Sequence, residues 1–471
     1  MSERGAILLV STYELGHQPL SLASPGALLR AAGFSPRLLD LSVVEQQDTD
    51  FAEARLVAIA VPMHTALRLG VRVEQRVRAV NPTATICFYG LYASLNAEYL
   101  LRTCADAVIG GECEAALVAL AQSLAESENG HLPETAIPGV RTRTTFASPV
   151  IARIPFAVPD RADLPPLDRY ARLATGSDTT PAGYVEASRG CLHTCAHCPI
   201  TPIYGGRFFV VPRDIVLADI RAQVAAGATH ITFGDPDFLN GPGHSLAIVR
   251  AMRAEFPTIT FDATIKIEHI IERRQVFAEL RELGCAFVVS AVESLSANVL
   301  RHLRKGHSRQ DVIEALRVLE EADIPMRPTL VAFTPWTTAR DYMDVLDFVA
   351  EQGLVEHVAP VQYTIRLLVP PGSALLEADD TAGWLGALDE ENFTYRWRHP
   401  DPRMDALQIE LAALVEEQTA RDASNAEVFA AIRARAARTL AMAPSAAFAG
   451  AASDEAPMRR PVPHLTEAWF C

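Results

Sequence analysis

Along the first 130 residues, short apolar runs alternate with stretches whose apolar residues recur at helical spacing. Residues 5–11 (GAILLVS), 54–61 (ARLVAIAV), 84–90 (ATICFYG) and 106–111 have the continuous apolar character of buried strands. Between them, residues 23–33 carry helical spacing closed by a glycine, 35–41 (SPRLLDL) form a further strand, and 65–80 form a helix. Residues 94–103 and 112–127 complete the helices, the last one opening on an acidic turn. Residues 131–182 are rich in proline, glycine and threonine and are expected as a linker with one or two short strands. A second alternating series follows, with strands at 183–188, 230–235, 260–265, 286–294, 326–333 and 361–368 and helical spacing in most gaps. After residue 375 the pattern is helical. The fold class is therefore α/β: a doubly wound parallel sheet over 1–130, a partial (β/α)6 TIM-like barrel over 183–375, and a helical C-terminal region over 376–471. No fixed-period repeat stands out. Ligands are expected at the carboxyl ends of both sets of strands.

Composition narrows the function classes. The chain has 471 residues, 49% of them apolar, enough for several buried cores. No apolar run approaches the roughly 20 residues of a bilayer span. The opening residues lack the charged and apolar regions of a signal peptide, so the expectation is a cytoplasmic protein with no membrane partner. A net charge of −15 argues against nucleic acid. Basic residues are almost all arginine, and the lysines are Lys266 and Lys305. Eight cysteines are too sparse for a disulfide scaffold in a chain this long. Cys87, Cys104 and Cys285 lie in apolar segments and are expected as inert core thiols.

Cys191, Cys195 and Cys198 differ. They follow the first barrel strand with the spacing C-x3-C-x2-C. Three thiolates hold three irons of a [4Fe–4S] cube and leave the fourth open to a ligand. Zinc is the alternative, with His193 or His197 completing a tetrahedron, but structural zinc usually takes a second ligand pair across a loop and none follows. The triplet after the first strand of such a barrel resembles the radical S-adenosylmethionine (SAM) enzymes over about residues 180–375. The resemblance implies a [4Fe–4S] cluster on Cys191, Cys195 and Cys198 whose open iron chelates SAM. It places Gly234, Asp235 and Asp237 (FGDPDF, 233–238) near the SAM amino group, with Asp where the family often has Glu. It places Ser290 and Glu293 (SAVES, 290–294) near the SAM ribose or carboxylate. The end of the third strand puts Asp262, Lys266 and Glu268 at the barrel mouth, where Lys266 and Glu268 are candidate catalytic groups or plain solvated charge. Arg366 on the sixth strand is a candidate carboxylate ligand or a surface residue.

The doubly wound domain ahead of the barrel resembles the cobalamin-binding class of these enzymes, and VIGGECE (108–114) resembles the end of that domain. The lower-ligand signature D-x-H-x-x-G is missing: ELGHQP offers His17 without its aspartate or glycine. Either cobalamin binds without that ligand or the domain is a scaffold. The ending PHLTEAWFC and the stretch CAHCPITPIYGGRFFVVP resemble a narrower radical SAM family with a Cys-Cys-Ala-Glu-Pro or Cys-Sec-Ala-Glu-Pro tail. This chain ends where the selenocysteine codon would fall, so the natural protein is expected to continue past Cys471. A relative acts in arsinothricin biosynthesis, which implies transfer of the 3-amino-3-carboxypropyl group of SAM to trivalent arsenic, with Cys471 helping to hold the acceptor. The alternative is a cobalamin-dependent radical SAM methyltransferase. A non-catalytic electron-transfer protein would leave the polar strand ends unexplained, and tRNA methylthiolation suits neither the charge nor the C-terminal composition. The expected partners are a small-molecule substrate and a flavodoxin or ferredoxin reductant.

Overall fold

The computed structural model describes Glu3, Leu132 and residues 5–127, 135–378, 380–442 and 459–466. The N-terminal sheet has the order β2-β1-β3-β4-β5-β6. Its strands are β1 (Ile7–Ser11), β2 (Arg37–Asp40), β3 (Leu56–Ala60), β4 (Thr85–Tyr89), β5 (Ala107–Ile109) and β6 (Val140–Thr142). The first five are parallel and β6 is antiparallel to β5. Strands β1, β3, β4 and β5 are buried throughout, because helices cover both faces. The strand order reverses between β1 and β3, which puts the binding crevice of this fold class at their carboxyl ends.

The second sheet reads β14-β13-β12-β11-β8-β7 plus a short C-terminal strand. Here β7 is Arg172–Thr175 and β8 is Asp178–Val185, while β9 (Ser188–Gly190) and β10 (Phe208–Val210) form a separate antiparallel pair. The remaining strands are β11 (His230–Phe233), β12 (Thr260–Thr264), β13 (Cys285–Glu293) and β14 (Met326–Leu330). From β8 to β14 the sheet is parallel and curls into a half-barrel. The segment 131–182 contributes β6 to one sheet and β7 to the other.

The expected sixth barrel strand at 361–368 is corrected. Pro360–Tyr363 is a 3-10 turn, and only an isolated bridge between Phe333 and Arg366 continues the sheet. Pro360 lacks an N–H to donate. The buried Gln362 side chain instead accepts from the Leu330 N–H (2.8 Å), taking the ladder bond that a strand carbonyl would have taken. The C-terminal region is not all helical either. Leu385–Asp389 pairs with Thr394–Trp397 as a hairpin before the helices Pro402–Thr419 and Asn425–Thr439. Those helices bury Leu407, Leu411 and Ile432 in the same core as the barrel helices. His464–Leu465 pairs antiparallel with β7. Cys87, Cys104 and Cys285 are buried, as expected of core thiols. Among the described residues no helix is long and apolar enough to cross a membrane.

Candidate functional site

The carboxyl ends of the two sheets face one another across a cavity of about 240 Å³. Loops after β1 and β3 line it from one side through Glu14, His17, Pro62 and Met63. The barrel contributes Tyr184, Glu186, Ser188, Gly190 and Gly234. Glu112, Cys113 and Glu114 reach it from the end of the sheet. Arg189 crosses the seam. Its guanidinium contacts Glu112 (2.9 Å), Glu114 (2.6 Å) and Glu186 (3.0 Å), and the first two carboxylates are almost wholly buried. Tyr204 donates to Glu112 (2.9 Å) and Ser24 to Glu114 (2.8 Å). Burial opposes ionisation of Glu114, but Arg189 outweighs it and holds the carboxyl below its usual range. Burial pushes Glu14 up to about 8, since its nearest charges are other carboxylates. His17 is buried, stacks on Tyr184 at 4.5 Å, and is pushed down to about 4 by burial.

The three cysteines sit in the loop between β9 and β10. The Cys191 N–H donates to the Arg207 carbonyl (3.1 Å), closing the loop's base. The Ala196 N–H donates to the Leu303 carbonyl (2.9 Å), and the Thr201 hydroxyl to the Cys195 carbonyl (2.9 Å), so the loop is fixed on both flanks. Asn240 approaches the Cys191 sulfur through its amide (3.7 Å). Cys198 is raised to about 11, first by burial and then by Cys195 and Cys191. Cys195 and Cys191 therefore lie close enough to Cys198 to share one cationic partner with it.

A polar network stands beside this loop. Glu293 ends β13 with φ of 61°, in the left-handed region, where β13 and β14 slip register. The slip aims its carboxylate at Lys305 (3.4 Å) and His197 (3.2 Å). Burial alone would raise Glu293, but Lys305 and His197 hold it at about 2. Burial likewise opposes the charge on Lys305, which Glu293 and Cys195 restore.

The structure brings some predicted residues to the site and withdraws others. Gly234 lines the cavity, and a Cβ there would meet the Tyr184 hydroxyl at 1.9 Å. Asp235, expected near the SAM amino group, accepts from the Ala187 N–H (2.9 Å) and the Ser188 hydroxyl, so it fastens the cysteine-bearing segment. Asp237 lies against His193 and His269. Lys266 pairs with Glu268 and reaches His193 Nδ1 (3.2 Å). Ser290, expected near the SAM ribose or carboxylate, is fully buried and donates to the Ile265 carbonyl (2.7 Å). Arg366 lies away from the mouth, bonding Asp405 (2.7 Å) and the Trp397 carbonyl (2.7 Å) while stacking over the Trp397 ring, and so docks the C-terminal helix. Cys471 lies outside the described residues. Sequence reasoning missed Arg189, Glu14 and the role of Lys305. Lys305 carried a signal as one of so few lysines; Arg189 carried none, because Glu112 and Glu114, its partners across the seam, lie far away in sequence.

Comparison with known proteins accords with this geometry. The model of the radical SAM superfamily matches residues 185–349, so the chain contains a radical SAM domain. Among curated proteins, the hopanoid C-3 methylase of Methylococcus capsulatus is 25% identical over 71% of this chain and 64% of its own length. An uncharacterized methyltransferase of Pyrococcus horikoshii is 24% identical over 51% of this chain and 52% of its own. The chain thus spans less than two thirds of these relatives. Among solved structures, the cobalamin-dependent SAM radical enzyme OxsB, with aqua-cobalamin and SAM bound, superposes with a TM-score of 0.70 at 14% identity, covering 92% of this chain and 71% of that one. The radical SAM methyltransferase TsrM of Kitasatospora setae, with cobalamin and a [4Fe–4S] cluster bound, gives 0.56 at 18% identity, covering 73% and 72%. These likenesses show the fold: a cobalamin-binding-like domain followed by a partial radical SAM barrel.

The radical SAM domain implies a [4Fe–4S] cluster and SAM. The crowded thiols of Cys191, Cys195 and Cys198, with the cationic Lys305 beside them, fit a cluster whose thiolate shell is anionic. A corrinoid, which the structural neighbours bind, would have to enter between the two sheets. The Arg189 network fills the seam that would have to open, and His17 is sequestered against Tyr184.

Proposed function

We propose that this chain is a radical SAM transferase that modifies a small polar acceptor in the cavity between its two sheets. The carrying observation is that Ser188 and Gly190, on the strand leading directly into Cys191, form part of the cavity wall. The cluster, when bound, supplies the electron that breaks a carbon–sulfur bond of SAM. Every other part belongs to the chain. Cys191, Cys195 and Cys198 hold the irons. Lys305, held by Glu293, balances thiolate charge. Glu14, raised by burial and bonded by the Ser21 hydroxyl, is a polar group of the cavity wall beside the acceptor. The Arg189 network closes the seam against water.

The group transferred is the 3-amino-3-carboxypropyl group, and the acceptor is trivalent arsenic. Two features support this: the resemblance of the cysteine loop and tail, and the thiol of Cys113 in the cavity wall. Arsenic of this kind is a soft, thiol-seeking centre. A second reading, methyl transfer, is favoured by the names of the curated relatives. The reductant is a flavodoxin or ferredoxin, and the setting is the cytoplasm. The test is anaerobic turnover of reconstituted protein with SAM and dithionite, with and without arsenite, reading SAM fragments by mass spectrometry. Methylthioadenosine with an arsenic-bound aminocarboxypropyl product is the expected result. 5′-Deoxyadenosine without that product would sink the arsenic reading and favour methyl transfer.

A further inference from the structure

At the barrel mouth, three side chains from three separate segments turn toward one point. His193 comes from the cysteine loop, Asp237 from the exit of β11, and His269 from the helix Ile267–Glu272 after β12. Asp237 is 2% exposed. Its Oδ1 accepts the Leu239 N–H (3.1 Å), which leaves Oδ2 for the cluster of rings. Oδ2 lies 2.8 Å from His269 Nδ1 and 3.4 Å from His193 Nε2, and all three atoms lie within 4.8 Å of one another. All three are buried, and none makes an aligned hydrogen bond. The Asp237–His269 ion pair meets part of the need of this buried carboxylate, but none of the three atoms has an aligned hydrogen bond, and buried polar atoms so placed carry a penalty unless something else satisfies them. Ligands about 2.0–2.2 Å from a metal stand roughly 3–3.5 Å apart, so the 3.4 Å separation matches and the side chains would adjust around an ion at the other two.

We propose that His193, Asp237 and His269 bind a divalent first-row cation, zinc or ferrous iron, distinct from the iron–sulfur cluster. Two imidazoles and one carboxylate form the donor set that such ions take with positions left open. His193 is the most exposed of the three, with 22% of its side chain accessible, so the open positions face the barrel mouth. One neighbour competes. Lys266 Nζ lies 3.2 Å from His193 Nδ1 and pairs with Glu268, so a positive charge stands beside the site. Lys266 therefore tunes the affinity of the site downward.

Cobalt(II) is the probe. The Cys191→Ala/Cys195→Ala/Cys198→Ala chain, which has no cluster to mask visible bands, is titrated anaerobically. In parallel the wild-type holoenzyme is exposed to cobalt, desalted and counted by mass spectrometry. One cobalt per chain with visible d–d bands is expected, with at least about tenfold weaker binding in Asp237→Asn and His269→Ala, and tighter binding in Lys266→Met. No retained cobalt in the wild-type holoenzyme would overturn the site, whether or not the triple variant folds. Retention unchanged by Asp237→Asn would place the ion elsewhere and overturn it equally.

Discussion

Asp235 shows how a residue legible in sequence also fastens the fold. Its place after the second barrel strand marks it as a SAM ligand, and it accepts from the Ala187 N–H and the Ser188 hydroxyl. Burial raises it to about 7, well above the usual aspartate range. The folded state thus keeps a proton that the unfolded chain releases, so its stability contribution is full below about 3.8 and is lost as pH rises through about 7. Urea unfolding between pH 5 and 7 should show roughly 2 kcal/mol of pH-linked loss from this group, absent in Asp235→Asn whatever that variant's absolute stability. The cysteine triplet needed no structure, because its spacing is local. Cys198→Ala leaves an iron without its thiolate, and both the cluster absorbance and SAM cleavage should fall to background. Full activity would refute the ligand assignment. The Asp237 pairings were illegible, since His193 and His269 stand 76 residues apart in the chain.

At the scale of elements, continuous apolar runs located the buried strands, while the sixth barrel strand deceived. Residues 361–368 have a strand's apolar content, but Pro360 and the Gln362 side chain redirect the hydrogen bonding. No periodicity encodes a side chain replacing a carbonyl. The turn at Gly110–Gly111 was legible as glycine-rich, and the structure supplies the reason. Gly111 has φ of 71°, and a Cβ there would sit 2.2 Å from the Val150 carbonyl oxygen. Gly111→Ala should lower stability by about 2–3 kcal/mol, measured by thermal unfolding, because the strained backbone and the clash act together. An unchanged melting temperature would mean that residues 149–151 yield easily.

At the scale of the molecule, the two α/β units were legible from alternation alone, but their union was not. Arg189 joins them through carboxylates on both sides of the seam. Arg189→Ala leaves buried Glu112 and Glu114 without their cation and should cost about 3–5 kcal/mol, with faster proteolysis between the sheets. Glu112→Gln/Glu114→Gln in the same background should recover part of that loss; no recovery would assign the effect to packing. The half-barrel itself carries an asymmetry with a kinetic meaning. One edge of its parallel run is laddered to β7, whereas the other ends in the single Phe333–Arg366 bridge, held by Phe333 donating to Ile365 and Leu367 donating to Phe333. Opening free energy follows the number of bonds that must break together. The amides of Phe333 and Leu367 should therefore exchange with deuterium long before those of β12 and β13, and that flank is where the barrel breathes without unfolding.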